Sequence, residues 1–477
     1  MRIESPEVLA GIVCLSLLNY LLLPTYRWLL LGFVSLGLYW FLSSSLAQVI
    51  VMVGLVTGTF LLVAGAYCMG GRAARTGLYT AVGLNLVVLC AFKFAGFVGQ
   101  SAELDSAQAV WAKAAQLAMP LGISFISFKL ISYAVDVSRG HLKPERNGAL
   151  FLTYGFFFPQ VTAGPIQRAK ELLPQLLHPA EWDFERYTDG LKLILWGLFK
   201  KLVVADRLAS YVGQVYDQTG DPGGQAYLIA SYCYAVQVYC DFSGYTDIAI
   251  GIGRLFGLTF PDNFQAPYAA RSIGDFWRRW HITLSSWLRD YLYIPLGGSR
   301  VTPCRYAANV LIVFLLCGLW HGAGWTFLAW GGLHGLYLIV GRFTQTMRDQ
   351  VRGIFGIDGA FGGLVQQCVT FHLVTFAWIF FRAKDLGSAV HMIQQIGSHR
   401  VFDSGWLSQR ATEWEFLIAG VTALVVFTLE GKIGSSQALN WINGSPIAIR
   451  WAAIYGLIGA IAFLGVIERQ DFIYSQF

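Results

Sequence analysis

Apolar stretches close to the length of a bilayer crossing recur along the whole chain, with short polar connections between them. The clearest early ones are Val8–Thr25, Trp28–Leu42, Leu46–Ala66 and Leu78–Phe97. Leu117–Val135, Leu150–Ala163, Leu191–Val204 and Ala226–Tyr239 follow, and then Val310–Ala323, Thr326–Val340, Val365–Phe381, Phe416–Leu429 and Trp451–Val466. A helix needs about 20 apolar residues to cross a bilayer, and a helix or a closed barrel alone satisfies its own backbone there. The pattern predicts an all-α polytopic membrane protein with roughly 11–13 membrane helices, counting re-entrant pieces as well as full spans. The opening run belongs to this series, so a removable signal peptide ahead of a soluble protein is not expected.

The periodicity is interrupted in one place. From about Tyr154 to Tyr337 the apolar runs are mixed with Arg, Asp, His, Gly and Pro, whereas the flanking thirds are plain apolar helices. Ionisable groups at membrane depth are expensive and face a bundle interior or a wet cavity, so any chemistry is expected in this middle region. No repeat, low-complexity tract or long polar linker sets off a soluble part, and residues 1–477 read as a single integral-membrane domain.

Composition agrees with this reading. Hydrophobic residues make up 55% of the 477 positions and charged ones 13%, against about 25% charged in soluble domains. The formal charge of +6, from 34 Lys+Arg and 28 Asp+Glu, is read as orienting loops, not as binding nucleic acid. Arg27, Arg72, Arg75, Arg139, Lys143 and Arg146 fall on every second early connection, which places the N-terminus outside and those loops in the cytoplasm. Eight cysteines are scattered, mostly in apolar runs, with no metal-ligand spacing; they read as small buried hydrophobes without a disulfide framework.

Four motifs in the middle region carry candidate chemistry. In Phe158–Arg168, FPQVTAGPIQR, prolines and a glycine break an apolar run; the segment is either a re-entrant wall near a donor headgroup or an ordinary helix end. Tyr239–Asp247, YCDFSGYTD, brings in Asp241 and Asp247. These carboxylates either tune a site or, with Arg254, Arg278 and Arg279 nearby in sequence, form structural ion pairs.

The third, Asp275–Asp290, DFWRRWHITLSSWLRD, places tryptophans and arginines around His281. An interfacial helix accounts for the Trp and Arg, while the imidazole is suited to proton traffic near neutrality. The fourth, Gly318–Gly335, GLWHGAGWTFLAWGGLHG, contains His321 and His334. Gly322 and Gly324 follow His321 and are expected to leave room for a thioester or hydroxyl; His334 is read as structural. There is no G-x-S-x-G elbow, Walker A sequence or H-E-x-x-H, and Gly251–Gly257, GIGRLFG, reads as helix packing through small residues.

Together with LGISFISFKLISYAVDVSRG at Leu121–Gly140, GLFKKLVVAD at Gly197–Asp206, FWRRWHITLSSWLRDYLYIPLGG at Phe276–Gly298, FAWIFFRA at Phe376–Ala383 and the closing FIYSQF, these motifs resemble the membrane-bound O-acyltransferase family. Within it they resemble the branch containing the alginate O-acetyltransferase membrane subunit. The likeness covers most of the chain; the first hundred or so residues share only hydropathy and general pattern.

The resemblance implies a helical body around a central tunnel, with the acyl donor entering from the cytoplasm and the acceptor on the far side. The family's active-site histidine falls on His321 and its second histidine on His281. The implied reaction is acyl transfer from a thioester, acetyl-CoA, with no bound cofactor or metal. His321 would act as general base, or as the nucleophile of an acyl-histidine, and His281 would hold or polarise the donor. Arg278 and Arg279 would anchor its phosphates, and Trp280, Trp320 and Asp241 complete the substrate-binding candidates.

The expected location is a bacterial inner membrane, and the expected acceptor an exported polysaccharide such as alginate or cellulose. D-alanyl or peptidoglycan O-acyl transfer is the alternative within the same fold, and a non-catalytic transporter the alternative outside it. The polar connections Pro165–Tyr187 and Lys384–Glu413 are shorter than a domain of at least about 50 residues. An extracytoplasmic acetyltransferase partner is therefore expected to grip the polymer.

Overall fold

The computed structural model describes the chain except residues 1–4, 102–118, 162–163, 218–221, 356–358, 399–412, 432–433, 467–472 and 474–477. The described residues contain helices and no strand. In chain order these are α1 (Pro6–Leu21), α2 (Pro24–Leu42), α3 (Leu46–Met69), α4 (Gly71–Ser101), α5 (Ile123–Ser138), α6 (Gly148–Phe156), α7 (Ala169–Leu177) and α8 (Phe184–Leu198). Next come α9 (Asp206–Tyr216), α10 (Gly224–Leu255), α11 (Ile273–Arg279), α12 (Ile282–Leu288), α13 (Pro303–His321) and α14 (Trp325–Phe343). The last are α15 (Gln345–Phe355), α16 (Gly359–Arg382), α17 (Leu386–Ile396), α18 (Glu413–Glu430), α19 (Ser435–Asn443) and α20 (Ile447–Leu464).

Five of the described helices are long and apolar enough to cross a membrane: α3, α4 over Ala74–Phe94, α13, α16 and α20. Several other apolar runs become shorter pieces. Leu150–Ala163 contains most of α6 and a single tight turn at Phe158–Gln160, and Leu191–Val204 is the end of α8 running into a wide π-helical turn, Phe199–Ala205. Segments this short do not reach across roughly 30 Å of hydrocarbon.

The chain packs as two compact units, Met1–Ile194 with Ala249–Pro261, and Leu195–Ile248 with Asp262–Phe477. In the first, the amide of Asn85 on α4 donates to Thr59 Oγ1 on α3 at 2.8 Å, a buried link between two spans. Gly122, at φ 68° before α5, lies against the Val161 carbonyl so closely that a Cβ would collide with it. Likewise a Cβ on Gly251 would stand 2.6 Å from the Gly190 carbonyl, so GIGRLFG serves close helix packing.

The described residues of the Pro/Gly-interrupted motif, 158–161 and 164–168, are also in this unit, and all but the half-buried Arg168 are buried. A run of amides holds it. Lys129 Nζ donates to the Tyr154 carbonyl at 2.5 Å and to Gln160 Oε1 at 3.2 Å. Gln160 Nε2 donates to Gln167 Oε1 at 2.8 Å, and Gln167 Nε2 to the Thr259 carbonyl at 3.1 Å. Each link satisfies a polar group that the apolar surroundings would otherwise strand.

The second unit contains two buried ion clusters on the π turn. Lys200 Nζ lies 2.6 Å from Asp247 and 2.8 Å from Glu430, and Lys201 Nζ lies 2.7 Å from Asp206 and 2.8 Å from Asp241. The Asp206 N–H bonds back to the Lys201 carbonyl, five residues earlier, which is π geometry. That wider turn sets Asp206 over Lys201, so the two side chains meet. The structural reading of Asp241 and Asp247 therefore holds, but their cations are the lysines of GLFKKLVVAD and not the nearby arginines.

Candidate active site

His281 and His321 both lie in the second unit and both are buried, at 0% and 1% exposure. The segment Asp275–Asp290, for which an interfacial helix is one of the two readings, is broken at His281. Residues Ile273–Arg279 and Ile282–Leu288 form separate helices, and His281 between them adopts a left-handed backbone, φ 42°. That conformation is uncommon for a residue with a Cβ and is held here by tertiary bonds. The Gln265 N–H donates to the Arg279 carbonyl at 3.0 Å and the Ile282 N–H to the Asn263 carbonyl at 2.9 Å. Burial pushes the His281 imidazole down to about 3, so the ring is neutral at physiological pH.

His321 is the last residue of α13. Its ring meets Trp320 at 4.8 Å, Trp330 at 5.0 Å and Phe381 at 5.2 Å between centroids. The indole of Trp320 also approaches His281, at 6.1 Å, so one tryptophan contacts both histidines. Gly322 does not leave the room expected beside His321. A Cβ there would collide with the Phe327 ring, and one on Gly331 would collide with the Phe314 carbonyl. These glycines are small because α13 and α14 pack backbone against side chain across a tight turn.

A cavity of about 430 Å³ adjoins this pair in sequence and in helix register. Ile282, which follows His281, and Cys317, one turn before His321 on α13, are in its wall. Arg278, Arg289, Ser285 and Ser286 supply polar groups, while Val310 and Val313 on α13 supply apolar surface. Neither histidine lines it. An apolar cleft with a few converging cationic and hydroxyl groups suits a ligand with an anionic end and an uncharged arm.

The candidates fare unevenly. Arg278 lines the cavity, with a side chain 72% exposed. Arg279 turns to Asp275 at 3.1 Å and to the Gln265 carbonyl at 3.3 Å. Trp280 is 1% exposed and packs on Phe276 and Trp378. Asp241 is committed to Lys201 and to the Ile473 N–H at 2.9 Å. His334 accepts a hydrogen bond from Trp277 Nε1 at 3.2 Å, consistent with a structural role. Among the described residues no group of three His, Cys, Asp or Glu side chains is arranged to hold a metal.

Arg289 and Asn263 were not legible as site residues. Arg289 lies on a second π turn, Arg289–Tyr293, whose presence the local sequence does not announce. The lysines had a signal: two adjacent charges within an apolar run must find counter-ions.

The sequence model of the membrane-bound O-acyltransferase family matches residues 144–381, a range that contains both histidines and the cavity. The chain is 37% identical over 337 residues to a protein of Azotobacter vinelandii named probable alginate O-acetylase, covering 69% of this chain and 64% of that one. It is 36% identical over 369 residues to the protein of that name from Pseudomonas aeruginosa, covering 76% and 67%. To the peptidoglycan O-acetyltransferase of Helicobacter pylori it is 35% identical over 360 residues, covering 69% and 66%. The matches thus span about two thirds of these relatives' lengths.

Proposed function

Because this chain belongs to the membrane-bound O-acyltransferase family, we propose that it is an O-acetyltransferase that moves acetyl groups from acetyl-CoA toward hydroxyls of an exported polysaccharide. The observation that carries the reading is the meeting of His281 and His321 on Trp320, beside a cavity walled by Arg278 and Arg289. Alginate is the first candidate acceptor, since the relatives from Azotobacter and Pseudomonas are named for it. Cellulose and other glycans are further candidates, and the Helicobacter relative's name favours peptidoglycan as a second reading.

In the proposed step an acceptor oxygen attacks the thioester carbon while His321 takes its proton. The new C–O bond forms, the C–S bond breaks, and the imidazolium returns the proton to the departing thiolate. A base so placed is worth about 10²–10⁴-fold in rate. Arg278 and Arg289 would attract the donor's phosphates, and His281 would position the reacting groups. Trp320 would fix the spacing of the two rings; Arg279, Trp280 and Asp241 support this site from the surrounding packing. No bound cofactor enters the scheme. The setting we propose is a bacterial inner membrane, with an extracytoplasmic partner receiving the acetyl group and placing it on the polymer.

The test is the purified chain in vesicles, with labelled acetyl-CoA on one face and alginate on the other. Consumption of acetyl-CoA that depends on His321 is expected. No turnover of the thioester, with or without a second protein, would leave a transporter as the better account. Efficient polymer acetylation by this chain alone would overturn the partner.

A further inference from the structure

The tautomer of His281 follows from the side chain it touches. Asn263 Oδ1 lies 3.2 Å from the Thr283 N–H, 2.9 Å from Thr283 Oγ1 and 3.1 Å from His281 Nδ1. A backbone N–H can only donate, so the Asn263 atom facing Thr283 is the carbonyl oxygen, and the amide cannot be turned round without setting donor against donor. An amide oxygen only accepts. His281 Nδ1 must therefore carry the proton, and Nε2 the lone pair. Asn263 is 1% exposed, and its own carbonyl fixes Ile282, so the same residue sets the left-handed turn and the ring's protonation pattern.

We propose that Asn263 is a positioning residue that locks His281 as the Nδ1–H tautomer, so that Nε2 meets the substrates as a hydrogen-bond acceptor. His281 then acts on an O–H or N–H, an acceptor hydroxyl or an amide of the donor's arm, and does not polarise the thioester carbonyl. This rests on the reading of His281 as a site residue.

The test is ¹⁵N-histidine NMR of the full chain in lipid, with the His281 signals identified by their loss in H281A, alongside the rate of acetyl transfer. Wild type is expected to show protonated Nδ1 and bare Nε2. N263L should move the proton to Nε2 and slow transfer about 10–100-fold, by analogy with the loss of a hydrogen-bond partner behind a metal-ligating histidine. N263D, which keeps the acceptor oxygen, should keep Nδ1 protonated and recover rate over N263L. A wild-type ring protonated only at Nε2, or an unaltered spectrum in N263L, would overturn the proposal. If N263L does not fold, the wild-type and N263D spectra decide. Should H281A transfer acetyl at the wild-type rate, the catalytic consequence falls, while the spectrum still judges the tautomer.

Discussion

His321 stands edge-on to Trp330, with ring centroids 5.0 Å apart and planes at 89°. With Trp320 and Phe381 also in ring contact, the imidazole fills an aromatic pocket. H321A should therefore cost stability, about 2 kcal/mol or more for so buried a truncation, as well as activity. H321F keeps the ring volume and removes the nitrogens. Both variants should lower acetyl transfer by about 10²–10⁴-fold, with the melting temperature falling mainly in H321A. Transfer at the wild-type rate by folded H321F would remove His321 from the chemistry.

In the proposed scheme His281 positions the reacting groups and His321 moves the proton, so H281A should reduce transfer less than H321F. Steady-state rates of the two variants, side by side, check the order. The reverse order would exchange their roles.

Arg278 and Arg279 are adjacent, yet only Arg278 faces the cavity. R278A should raise the KM for acetyl-CoA with little change in kcat, the signature of lost uniform binding. The rise should be at most about fivefold, because exposed charge contacts are worth up to roughly 1 kcal/mol. R289A should act in the same direction, whereas R279A should leave KM nearly unchanged. A larger KM effect from R279A than from R278A would place the donor elsewhere.

Lys200 compensates two buried carboxylates, Asp247 and Glu430, and Glu430 also accepts from Tyr239. K200M removes the cation and leaves both acids without it. The expected cost is about 3–5 kcal/mol, read as a marked fall in thermal midpoint in detergent. R352A breaks only an exposed pair with Asp349 and should be within about 1 kcal/mol of wild type. Equal midpoints for the two variants would show the buried cluster to be structurally idle.

The hydrophobic pattern by itself determined the helical membrane class, since apolar length and backbone satisfaction leave a chain like this few alternatives. The sequence also marked the middle region, and within it His281 and His321, because polar groups are costly in apolar surroundings and stand out for that reason. What local pattern could not supply was pairing across distance. Asn263 is 18 residues from His281, and Glu430 is 230 from Lys200. The break at His281 has no Gly or Pro to announce it; the Asn263 clamp imposes it. The role of Gly322 likewise depended on where Phe327 comes to rest. Local sequence carries the periodicity of helices, but which side chains meet is decided when those helices pack, since hydrogen bonds and close contacts depend on position in space, not on separation along the chain.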